Sequence, residues 1–245
     1  MHFTFPDGNA VRINCHDSAA LLAAARQRLE QGRGFAIATI NVDHLQRLGE
    51  DAGFRRAYAA HDLICADGNP IVWLSRLAGR PVRLAPGSDQ VLPLAELAAG
   101  LGLPVALIGS NDDSLTRAAE SMRARVPTLR IAMTHAPGFP FDPDGAEADD
   151  IIARIRQSGA RLCFLALGAP RQERFAIRAR DALGNTGFAS IGAGLDFLAG
   201  TQTRAPAWAR AIAMEWAWRM LSAPRRLVPR YAACAAILPG QAWQA

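Results

Sequence analysis

Six short apolar runs, each followed by an amphipathic stretch, decide which architectures are open to this chain. The runs lie at 35–41, 63–67, 104–109, 129–134, 161–168 and 187–192. They are four to eight residues long and read as strands. Between them, 18–31, 43–60, 70–78, 88–101, 113–125, 147–158 and 171–183 carry helical periodicity. Many of these stretches start with Asp or Ser and end near Gly, which is helix-cap chemistry. Regular βα alternation predicts an α/β, Rossmann-like fold: a largely parallel sheet with helices on both faces. The pattern changes after Gly200, where two helical stretches, 206–222 and about 225–238, follow with no strand between them. We therefore expect an α/β domain over 1–200 and a helical C-terminal appendage over 201–245. A chain of 245 residues is long enough to bury a full core of this kind.

The charge follows the same division. Every one of the 27 basic residues is Arg, and the net charge is +5. The segment 201–245 holds six of those arginines (204, 210, 219, 225, 226 and 230) against the single acid Glu215, so it carries the whole +5. Residues 1–200 sum to zero. Four of the five tryptophans (208, 216, 218 and 243) also lie in the appendage. Arg with Trp suits a partner that offers phosphates beside an apolar face, such as an anionic membrane surface or a nucleotide diphosphate. No run reaches the roughly 18 apolar residues of a spanning helix, and the N-terminus shows no signal-peptide pattern. Membrane contact is expected to be peripheral and the location cytoplasmic. The four cysteines lack metal-ligand spacing and suit buried thiols in a reducing compartment.

In sheets of this type ligands gather beyond the carboxyl ends of the strands. The residues found there are Thr39 and Asn41, Asp67-Gly68, Gly109, Gly168 to Glu173, and Gly192 to Asp196. Asp67 could serve as a general base, or it could cap the helix from Asn69. Thr39 and Asn41 could both face a ligand, or Asn41 could cap the helix from Asp43. Gln172 could reach a substrate, or it and Glu173 could be ordinary first-turn residues. The helix start at Pro170 would present backbone N–H groups to an anion. Gly192-Ala-Gly194 fails as a dinucleotide fingerprint, because Phe197 stands where the third glycine belongs. A nicotinamide site is therefore rejected. Asp142-Pro-Asp144 imitates a metal-binding DxD but sits in a Pro-rich loop, where capping is the simpler reading. The five histidines have no ligand spacing, so neither metal nor cofactor is expected.

Several strings, taken in order, resemble the WecG/TagA/CpsF glycosyltransferases (glycosyltransferase family 26) over nearly the full length. They are Thr39-Ile-Asn41; Ala66-Asp67-Gly68 with Pro70; Arg83 with Gly87-Ser-Asp89; and Leu167 to Glu173. Toward the C-terminus come Ile191 to Gly194 with Asp196-Phe197, Arg204-Ala-Pro206, Glu215-Trp216 with Arg219, and Pro224-Arg225 with Arg230-Tyr231. The resemblance implies inverting, metal-independent transfer from a UDP-sugar to a polyprenyl-diphosphate-linked saccharide in surface-polymer synthesis. It places Asp67 as the base, and Thr39, Asn41, Arg83 and Gln172 in the active site. It puts Asp196 in the nucleotide region, and Arg219, Arg225, Arg226 and Arg230 at the diphosphate or the membrane. Departures fall at Gly109-Ser110-Asn111, where Gly-Gly is usual, and at Ala213-Met214 and Ala223. The implied sugar is N-acetylmannosamine, its uronic acid, or glucose. No nucleic acid partner is expected, and association of copies stays open. The rival classes are a doubly wound oxidoreductase and a non-catalytic membrane scaffold; the latter needs no base.

Overall fold

The computed structural model describes residues 1–206 and, beyond them, Met214, Ala217, Trp218, Met220, Arg225, Cys234, Ala236, Ile237 and Gly240. The six expected strands are all present: β3 (Phe35–Ile40), β4 (Leu63–Ala66), β5 (Val105–Gly109), β6 (Ile131–His135), β7 (Leu162–Ala166) and β8 (Gly187–Ser190). They form one parallel sheet in the order β4-β3-β8-β7-β5-β6. A hairpin that the sequence pattern did not signal precedes them, β1 (His2–Thr4) and β2 (Ala10–Arg12). Each of its strands is only three residues long, too short for alternation to stand out.

The helices are α1 (Ser18–Glu30), α2 (Val42–Glu50), α3 (Ala52–Ala59), α4 (Asn69–Leu77), α5 (Gly87–Gly100), α6 (Asp112–Arg125), α7 (Ala146–Ser158), α8 (Arg171–Leu183) and α9 (Gly194–Ala199). The single helix expected over 43–60 is two. Asp51 leaves helical geometry and its carboxylate accepts the Phe54 N–H at 2.9 Å, so a local side-chain bond ends α2 and starts α3. The short α9 was read as a strand-end loop, because six residues give too little periodicity.

Alternation along the strands divides the core between the two faces. Phe35, Ile37, Leu63, Cys65, Leu107 and Phe164 pack with α1, α5, α6 and α9. Ala38, Ile40, Ile64 and Ala66 pack with the hairpin and α2, α3 and α4 on the other face. That face continues as Ala106, Ile108, Leu165 and Phe188 under α7 and α8. Thus α6 leaves β5 toward one face while α8 leaves the adjacent β7 toward the other; α9 and α2 diverge likewise from the adjacent β8 and β3. Such divergence opens a crevice at the carboxyl edge.

Beyond residue 206, described positions such as Ala217, Trp218, Arg225 and Cys234 are helical. Cys234 is buried in the cluster of the hairpin, α2, α3 and α4, with its thiol 3.9 Å from Gln46 Oε1. Among the described residues no helix is long and apolar enough to cross a membrane.

Candidate active site

Strand parity brings Thr39 and Asp67 together. Thr39 pairs in register with Cys65, and both side chains belong to the α5 face. Asp67 follows two residues after Cys65 and so turns the same way. Its N–H donates to Ile40 O at 2.8 Å, which extends the pairing one step past β4. Thr39 is buried, and its hydroxyl donates to Asp67 Oδ2 at 3.2 Å. Asp67 does not cap α4: the N-cap is Gly68, at φ +106°, with no side-chain cap bond. Asn41 does cap, its Oδ1 accepting the His44 N–H at 3.0 Å. Asn41 keeps extended backbone, and its Cβ would lie 3.8 Å from a Cβ on Gly68, the residue after Asp67.

The N-terminus of α5 closes over this pair. A Cβ on Gly87 would stand 3.2 Å from Thr39 Oγ1 and 3.1 Å from Ser190 O, so glycine permits the approach. Gly194, at the start of α9, is pressed against α5 in the same way: its Cβ would lie 2.8 Å from Val91 Cγ2 and 3.2 Å from Ser88 Cα. Neither α4 nor α5 has a side-chain cap, and neither does α8, whose N-cap is Pro170. The positive ends of their dipoles face the carboxyl edge, where they suit a phosphate-bearing ligand. Pro70 has no N–H, and those of Ile71, Asp89 and Gln172 donate to Gly68, Pro86 and Gly168 O, so the first-turn donors are Asn69, Gly87, Ser88 and Arg171.

At the β5/β7 end of the crevice, Asp196 Oδ1 accepts the Ser110 hydroxyl and Oδ2 accepts Gln202 Nε2 at 2.9 Å. Ser110 has φ +53°, alone among the described non-glycine residues in the left-handed region. Glycine would be easier there; the bond to Asp196 offsets the conformational cost. Arg83 is exposed between α4 and α5, and its backbone N–H donates to His16 O at 2.7 Å. Arg204 pairs with Asp89 in the first turn of α5 and stacks 5.9 Å from the Phe197 ring centroid, so the chain leaves toward the appendage beside the crevice. Arg225 is exposed; Arg219, Arg226 and Arg230 lie outside the described residues.

Gln172 is buried. Its Nε2 donates to Glu173 Oε1 at 2.8 Å, while its own Oε1 has no partner among the described residues. Glu173, by sequence an ordinary first-turn acid, is fully buried, and burial pushes its carboxyl up to about 7. His44 Nε2 lies 3.9 Å from Glu173 Oε1, and the His44 ring is 5.7 Å from that of Tyr58, whose hydroxyl burial also pushes up. The signal was present: Glu173 is three residues before Ala176, and Gln172 three before Phe175, so both occupy the inward stripe of α8. Asp142 and Asp144 belong to their loop. Asp142 Oδ1 accepts the Asp144 N–H at 3.0 Å, and Asp144 pairs with Arg174.

A doubly wound parallel sheet that sets a carboxylate among uncapped helix starts defines an α/β protein suited to a phosphate-bearing ligand. The sequence profile of the glycosyl transferase WecG/TagA/CpsF family matches residues 9–244. The chain belongs to that family: it is a glycosyltransferase of cell-surface polysaccharide synthesis, and membership implies a nucleotide-sugar donor and a lipid-linked acceptor.

Proposed function

We propose that the chain moves one sugar, with inversion, from a UDP-sugar to a polyprenyl-diphosphate-linked saccharide at the inner face of the cytoplasmic membrane. The observation that carries this reading is the Thr39–Asp67 pair beside the uncapped starts of α4 and α5. Asp67 takes the proton of the acceptor hydroxyl, and that oxygen bonds to the anomeric carbon. The bond from the anomeric carbon to the phosphate oxygen breaks with its electron pair, and UDP departs. Thr39 orients the carboxylate. Backbone N–H groups of the helix starts, with Arg83, stabilise the charge that develops on the leaving diphosphate. Asn41 and Gln172 border the sugar, and Asp196 with Ser110 shapes the nucleotide end of the crevice. Residues 201–245 form a lid that brings Arg219, Arg225 and Arg226 to the diphosphate and sets Arg230 at the membrane.

The test is a panel of UDP-N-acetylmannosamine, its uronic acid and UDP-glucose against lipid-linked acceptors, run with wild type and Asp67→Asn. We expect one donor to be used with inversion, and the variant to bind it unchanged but turn over roughly 10²–10⁴-fold more slowly, the range for a lost general base. Wild-type turnover by Asp67→Asn would remove Asp67 from the role.

A further inference from the structure

Helix α4 carries a second surface that the chemistry at Asp67 does not use. Ile71, Val72 and Leu74 are buried against the sheet, while Trp73 is 52% and Leu77 64% exposed on the opposite side. Leu84, in the segment that follows, is 40% exposed. Every exposed position from 73 to 84 is Trp, Leu, Arg, Gly or Pro, and apart from Arg83, assigned above to the donor, the arginines are Arg76 and Arg80. The stretch contains no acid. Arg80 also lines an open groove of about 730 Å³ with Arg12, His2 and His16, and no acidic residue borders it among the described residues.

We propose that this face of α4 and the loop after it dock on an anionic lipid bilayer. The proposal rests on the reading of a lipid-linked acceptor given above and names the surface that brings the enzyme to it. Charge selects the occupant. The appendage carries its charge before residue 231, and its uncharged end places Cys234 and Ile237 in the cluster that α4 shares with the hairpin, α2 and α3, while Trp73, Arg76, Leu77 and Arg80 stay exposed. A two-fold contact with a second copy would set the same arginines against each other. An anionic bilayer offers what the face lacks: phosphates for the guanidinium groups, and a headgroup boundary in which an indole and a leucine are half buried.

The experiment is co-sedimentation of the full chain at low salt with vesicles of phosphatidylcholine alone or with a quarter phosphatidylglycerol. We expect binding only to the anionic vesicles. At roughly fivefold per arginine near such a surface, Arg76→Gln/Arg80→Gln lowers the partition about 30-fold, and Trp73→Ser/Leu77→Ser lowers it at least tenfold. Both variants keep transfer to a short-chain, water-soluble acceptor within twofold of wild type. Should the serine variant misfold by circular dichroism, the arginine variant decides alone. Unchanged vesicle binding by Arg76→Gln/Arg80→Gln overturns the proposal. So does a variant that binds vesicles normally but loses a dimer by light scattering, which would assign the face to a second copy. Vesicle binding needs neither donor nor acceptor, so its failure is distinct from failure of the transfer reading.

Discussion

Replacing Glu173 by Gln should make the protein more stable at neutral and alkaline pH, although it removes a side chain that is fully buried and hydrogen-bonded. Glu173 Oε1 accepts from Gln172, but Oε2 has no partner among the described residues, so ionisation would leave a bare charge in the core. Burial accordingly raises the carboxyl from 4.5 to about 7. The sign follows from proton counts. Below pH 4.5 the group is protonated in both states and folding costs nothing at this site. Between 4.5 and 7 the unfolded chain gives up the proton while the native one keeps it, so stability falls as pH rises. Above 7 the loss levels off. A difference of about 2.5 units at 1.36 kcal/mol per unit gives a penalty of about 3 kcal/mol. For a chain of this length that is roughly 6–12 °C in Tm. Glutamine keeps a carbonyl for the Gln172 amide and does not titrate. Urea unfolding followed by circular dichroism from pH 4.5 to 8.5 should therefore show a falling curve for wild type and a flatter one for Glu173→Gln, crossing near pH 5. Parallel curves would refute the reasoning.

Three further outcomes are expected. Thr39→Val keeps a β-branched side chain in a buried strand but loses the bond to Asp67 Oδ2; at about 1.5 kcal/mol for a hydrogen bond to a charged group, kcat/KM should fall roughly tenfold with little change in Tm, and full activity would show that the bond does not orient the base. Transfer should persist in excess EDTA, since Asp142 and Asp144 are committed to their loop and to Arg174; loss restored by Mg²⁺ or Mn²⁺ would mean that they serve a metal. Arg225→Gln/Arg226→Gln should lower kcat/KM about 10²-fold with vesicle binding largely kept, and unchanged kinetics would remove these arginines from the donor diphosphate.

The sheet was legible because its strands are short and apolar and, up to the last, alternate with stretches of helical periodicity. What escaped notice was short or local. The three-residue strands of the hairpin and the six-residue α9 fall below the length at which periodicity shows. The break at Asp51 depends on one carboxylate turning back to Phe54. At the site, the strand-end positions of Thr39, Asn41 and Asp67 were legible, but the bond between Thr39 and Asp67 depends on how β3 and β4 pair, which sequence spacing does not state. Glu173 was set aside because an acid in a first helical turn is ordinarily solvated; its inward register on α8 carried the contrary signal.

Capping residues say where polar side chains are already occupied, and their absence is equally informative. Asp17, Asn41, Asp51 and Asn111 each bond a backbone N–H at the start of α1, α2, α3 and α6. Helices α4, α5 and α8 begin instead at Gly68, Pro86 and Pro170, whose side chains can accept nothing. A helix start left this way at a surface wastes several donors unless water or a ligand takes them. Substituting a capping Asp at Pro86 would supply the missing acceptor and place a negative charge where the diphosphate is proposed to bind, so it should stabilise α5 while weakening the donor. The glycine and prolines at these three starts thus point the same way as Asp67: they put no side-chain acceptor at the one edge of the sheet where an anionic leaving group has to be received.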